Sequence, residues 1–143
     1  MRHGVERGTL RVEAIQKLVD AAAARARELD IRVHIAVMDS SAELVGWLSF
    51  DGTPRIAATT ARHKAFTAVQ TGMATVDWKA YVESIPAEER RIIDGIEGYI
   101  AAAGGVPVIE QGILLGGVGV SGATQETDEA CARAALDALG LGT

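Results

Sequence analysis

From Leu10 to Leu29 the apolar side chains return every three or four positions, at Ile15, Leu18, Val19, Ala22, Ala26 and Leu29. That spacing winds them onto one face of a helix, while Glu13 and Lys17 form an i,i+4 pair on another face. The period then changes. In Val33 to Met38 the β-branched residues fall at every second position, and Asp39-Ser40-Ser41 offers turn chemistry before the apolar stretch Leu44 to Leu48, so a β-hairpin is predicted. Asp51-Gly52-Thr53-Pro54 reads as a turn leading into a helix, with Thr53 placed to cap it and Pro54 at the first helical position. The helix is expected from about Arg55 to Thr71, where Gly72 ends it.

Between Thr75 and Ile100 the pattern is less regular, with Pro86 interrupting it, and predicts one or two short helices or a surface excursion. Gly104-Gly105 breaks the chain before a short run from Val106 to Ile109. Ile113 to Ser121 is apolar and glycine-rich, as suits a buried strand, and a last helix is expected from about Gln125 to Leu139. This order of elements predicts an α+β fold in which an antiparallel sheet is flanked by helices. It does not alternate as a doubly wound parallel fold would. Nothing repeats, and the organisation predicted is a flexible N-terminus over 1–9 and a single domain over 10–143.

Composition sharpens this picture. Of the 143 residues 48% are hydrophobic but only 4% aromatic, so the core must be built from Ala, Val, Ile and Leu with its elements closely packed. A net charge of −5 leaves no basic face for a phosphate backbone, which argues against nucleic acid as partner. The one cysteine, Cys131, has no internal disulfide partner and lies in an Ala-rich segment where a buried, inert thiol is expected. Neither a signal-peptide run nor a membrane span is evident, so no membrane partner and a cytoplasmic location are expected.

Gly117-Val118-Gly119-Val120-Ser121-Gly122 spells the G-x-G-x-x-G fingerprint of dinucleotide sites. The context argues against it, because the fingerprint needs a further strand with an acidic residue about 20 positions on, and here only a single helix follows. The glycines are better explained by a helix or a neighbouring subunit approaching the strand closely. Backbone N–H groups around Ser121 to Thr124, at a helix start, are nevertheless placed to receive a carboxylate or propionate.

Lys64 stands out among the polar residues, since it falls with Ala57, Ala61, Ala65 and Ala68 on the small-residue face of its helix. Either its stem covers apolar surface while the amine meets water or an acidic partner, or it is a cation facing a ligand carboxylate or carbonyl. Thr60, His63, Thr67 and Gln70 form an adjacent stripe that suits a polar pocket or an exposed face. Glu126 and Asp128 sit in the first turn of the last helix, where the helix dipole favours acids and Thr124 is a natural N-cap. If this were an enzyme, Lys64 with Glu126 or Asp128 would be its acid/base pair. No histidine has metal-ligand spacing to another ligand, so no metal site is expected, although His34 or His63 could serve alone as an axial haem ligand.

The blocks Gly104-Gly105-Val106-Pro107-Val108, Gly112 and Gly117 through Asp128 resemble the C-terminal signature of the GlcG/HbpS-like family. Ile35 to Asp39 resembles its first strand, and Asp51-Gly52 followed by Ala61, Lys64-Ala65 and Thr67-Ala68 its second helix. The resemblance implies a profilin-like sandwich and a homo-oligomer. It further implies a small-molecule ligand, with haem or another tetrapyrrole or a small organic acid as candidates; the residues expected to bind it, from their helix faces and the start of the last helix, are Lys64, Thr67, Ser121 and Thr124. The alternative is an enzyme of small-molecule catabolism, an isomerase, lyase or hydratase. Two positions depart from the family pattern: Ser49-Phe50 stands where relatives tend to carry Arg-Met, which removes a cation, and Ser40-Ser41 where they often have Gly-Gly.

Overall fold

The computed structural model describes residues 2–142; Met1 and Thr143, the extremes of the predicted tail and domain, lie outside the described residues. The chain runs α1 (Val12–Glu28), β1 (His34–Asp39), β2 (Leu44–Ser49), α2 (Ile56–Thr71), α3 (Thr75–Ser84), α4 (Ala87–Asp94), β3 (Gly105–Glu110), β4 (Ile113–Ser121) and α5 (Gln125–Ala138). The strands form one antiparallel sheet of order β2-β1-β4-β3. The irregular stretch resolves into α3 and α4, separated at Ile85-Pro86.

Period-two alternation divides the sheet into two faces. Val33, Ile35, Val37, Val118 and Val120 point to one side, where α1 and α5 bring Leu18, Ala22, Ala26, Cys131 and Ala135 into the larger core. Ala36 and Met38 point to the other, where α2 covers them with Ala61, Ala65 and Val69. Helix α2 packs on β4, β1 and β3, so the face of β2 beside it stays open.

The glycines of β4 explain how α2 comes so near. A Cβ at Gly119 would overlap the Ala61 carbonyl oxygen and lie 2.5 Å from Ala65 N, and one at Gly117 would lie 3.0 Å from Ala65 O. The fingerprint lookalike is therefore the seat of a helix backbone within the same chain. At the β3–β4 hairpin, Gln111 and Gly112 have φ of 51° and 78°, the positive pair that a tight two-residue turn requires.

One local expectation needs correction. Thr53 does not cap α2: its hydroxyl donates to Phe50 O at 2.8 Å, and the helix starts later, after Arg55, leaving Pro54 in the preceding turn. With the helix beginning after Arg55, Thr53 lies two residues before the N-cap position and so is not the capping residue. The N-terminal tail is held from Gly8 onward, where Ser40 Oγ donates to Gly8 O at 2.6 Å and Leu10 is buried.

Candidate functional site

Lys64 lies on the face of α2 that meets β4, and its amine ends at the N-terminus of α5. Nζ donates to Val120 O at 2.9 Å and to Asp128 Oδ2 at 3.1 Å, while Asp128 Oδ1 accepts from Ala123 N at 3.1 Å. Lys64 is 3% exposed and Asp128 2%. Burial lowers the Lys64 pKa from its ordinary value, and the Asp128 carboxylate opposes that shift through its charge and its hydrogen bond. The pair closes a polar circuit joining α2, β4 and α5, with its charges compensated inside the protein. Glu126 takes no part in it and is exposed.

The remaining predicted ligand-binding residues are likewise occupied by the fold. Thr67 is fully buried and its hydroxyl accepts from Ile100 N at 3.0 Å, tying α2 to the segment after α4. Ser121 shares a 2.5 Å hydrogen bond with Thr60, and Thr124 caps α5 by accepting from Thr127 N at 3.2 Å. Lys64, Thr67, Ser121 and Thr124 thus each meet a partner within the chain. Each of their polar atoms meets a protein partner, as buried polar groups must.

Cys131, one turn beyond Asp128, is buried as expected. Burial first and the Asp128 carboxylate second push its thiol up to about 11, with Arg25 acting the other way. A raised folded-state pKa adds stability that is fully present below the ordinary value of 9.0 and is lost as pH rises through about 11. The stability margin of the native chain over Cys131→Ala is therefore expected to hold steady below pH 9 and to shrink towards pH 11. Urea unfolding across that range checks it, and a margin that grows with pH would contradict the assignment.

The two helical and strand histidines differ sharply. His34, 4% exposed, has both ring nitrogens engaged: Nδ1 is 2.8 Å from Ser49 Oγ and Nε2 is 3.1 Å from Pro54 O. Serving as an axial ligand would require breaking one of these bonds. His63 instead lines an open groove of about 400 Å³ with Met38, Arg62, Phe66, Glu97 and Gly98.

The groove lies where α2 leaves the outer sheet uncovered. Arg62 reaches from it over the Trp47 ring, 5.9 Å from guanidinium carbon to centroid, and Trp47 stacks on His34 at 5.6 Å. On its other side Phe66 meets Tyr99 edge-on at 5.5 Å. His63 is a candidate on helix spacing alone, whereas Met38, Arg62, Phe66 and Glu97 carry no local signal and come together only through the packing of α2 against β1 and the segment after α4. Among the described residues no group of three or more His, Cys, Asp and Glu could hold a metal ion by itself. No helix there is long and apolar enough to cross a membrane.

Residues 10–137 match the family model described as haem degrading protein HbpS-like. The chain belongs to the HbpS-like family. It is 30% identical over 135 residues to the corrinoid adenosyltransferase PduO of Salmonella typhimurium, covering 90% of this chain but 38% of that protein. The chain therefore spans about two-fifths of the length of that curated relative. Among solved structures, HbpS superposes with a TM-score of 0.86 at 30% identity, covering 96% of this chain and 95% of that one. A PduOC:heme complex superposes with a TM-score of 0.85 at 26% identity, covering 94% and 98%. The HbpS-like fold is thus the α+β sandwich described above, with its antiparallel sheet between α1/α5 and α2.

Proposed function

We propose that this HbpS-like protein binds haem or a closely related tetrapyrrole in the groove beside α2, with His63 as the axial ligand. The observation that carries the reading is the His63 ring, which lines an open groove while both nitrogens of His34 are committed to the fold. The residues present suit the group. A haem site can be built from an imidazole for the iron, an apolar wall for the ring and a cation for its carboxylates. His63, then Phe66 with Met38, and then Arg62 offer these in turn. Arg62 also restores, from the helix, the cation that Ser49-Phe50 withholds from the strand.

Haem, when bound, supplies a redox-active iron; the chain's part is to hold and orient it. Phe66 is fixed by its edge contact with Tyr99, so the wall is rigid before a ligand arrives. Support from relatives is direct in one case, the solved complex of PduOC with heme. A homo-oligomer is part of the proposal, supported by the exposed Ile109 and Ile113 flanking the β3–β4 turn; light scattering tests it.

Haemin titration of the purified protein, followed at the Soret band, tests the site. Saturable binding is expected, weakened at least about tenfold by His63→Ala, as loss of an axial bond requires, and also weakened by Arg62→Ala. Unchanged affinity and spectrum in His63→Ala would overturn the assignment. Binding of a small organic acid with no response to haemin would replace the ligand.

A further inference from the structure

The open corner between β2 and α2 holds a second arrangement, separate from the haem reading. Ser49 is the last residue of β2, directly opposite His34 in the β1–β2 register. Its side chain is exposed, whereas the His34 ring beneath it is buried. Ser49 Oγ is 2.8 Å from His34 Nδ1. On the far side of the ring, Nε2 is 3.1 Å from Pro54 O, an atom that can only accept. The proton therefore resides on Nε2, and Nδ1 is left as the acceptor for the Ser49 hydroxyl. A third contact completes the set: Trp47 Nε1–H donates to Ser49 Oγ at 2.8 Å.

An exposed hydroxyl, a base in hydrogen-bond contact with it and a third group fixing the base's tautomer are the parts of an activated serine nucleophile. A serine placed only for stability would not need a buried imidazole held in one tautomer beneath it. We infer that Ser49 and His34 form a nucleophile and general-base pair able to transfer the acyl group of a small carboxylic ester. As Oγ bonds to the ester carbonyl carbon, its proton passes to His34 Nδ1. The Trp47 N–H holds Oγ in place against the imidazole, so that the hydroxyl is aimed at the base before the ester arrives. Collapse breaks the bond to the leaving alcohol, which takes the proton from Nδ1, and leaves acyl-Ser49. Water then attacks the acyl carbon, giving its proton to Nδ1, and the acid leaves as Ser49 regains its hydrogen. The exposed Trp47 ring, with Arg62 stacked over it, forms the surface beside which the ester docks.

The test needs no haem. The full-length protein is incubated with p-nitrophenyl acetate, p-nitrophenolate release is followed, and the acetylated residue is located by peptide mass spectrometry. Acetyl-Ser49 is expected in the native protein. In Ser49→Ala, with its fold checked by circular dichroism, that release is lost. His34→Gln is expected to slow acylation by about 100-fold, the scale of general-base assistance. Should His34→Gln fail to fold, Trp47→Phe keeps the ring and removes only the N–H, with about a tenfold loss expected for one hydrogen bond. Acetyl groups confined to lysines or the N-terminus, with equal release from the native protein and Ser49→Ala, would overturn the inference.

Discussion

Gly119→Val is expected to destabilise the protein by about 3 kcal/mol or more, at the upper end of what overpacking does. The reason is backbone against backbone. A Cβ at this position overlaps the Ala61 carbonyl oxygen and sits 2.5 Å from Ala65 N, so α2 must lift away from β4 to admit it. Lifting α2 uncovers Ala61, Ala65 and Val69 together with their sheet partners Ala36 and Met38. Against a total stability of about 5–15 kcal/mol, such a loss removes a large part of the margin. Gly112→Ala serves as the control, because its φ of 78° is strained for alanine but nothing lies within 4 Å. It should lose only about 1–2 kcal/mol. Urea unfolding followed by circular dichroism separates the two, and a native-like midpoint for Gly119→Val would show that α2 can shift freely.

Lys64→Met should destabilise by about 3–5 kcal/mol, the loss typical when one partner of a buried pair is removed. Asp128 would remain 2% exposed with a negative charge and only the Ala123 N–H to answer it. Adding Asp128→Leu should recover much of the loss, since removing both charges also removes their desolvation penalty. Haemin affinity should change little in the double variant. Lys64→Met with unchanged urea midpoint but abolished ligand binding would instead return Lys64 to the binding site.

Much of the fold was legible in local pattern. The 3.6-residue recurrence in α1, the alternation in β1, the glycine ending α2 with φ of 69° and the Thr124 cap of α5 each arise from a few neighbouring residues. The sites were less legible because their partners are distant in sequence. Thr67 looked free on its helix stripe, yet its partner Ile100 is 33 residues away. Ser49 and His34 are 15 apart and meet only through strand register.

By itself the sequence determined most of the elements and their order, the small-residue core and the family, since these are written in local periodicity, volume and backbone freedom; that the β4 glycines seat α2 rather than a neighbouring subunit, and that residues 75–94 form α3 and α4, took the structure. Only the tertiary structure decided which polar groups meet. Glu126 and Asp128 are two residues apart and so point about 200° from one another around α5, and the docking of that helix alone chose Asp128 for Lys64. In the same way the placement of α2 over β1, β4 and β3 left β2 bare, opening a groove to His63 while the turn at Pro54 closed over His34.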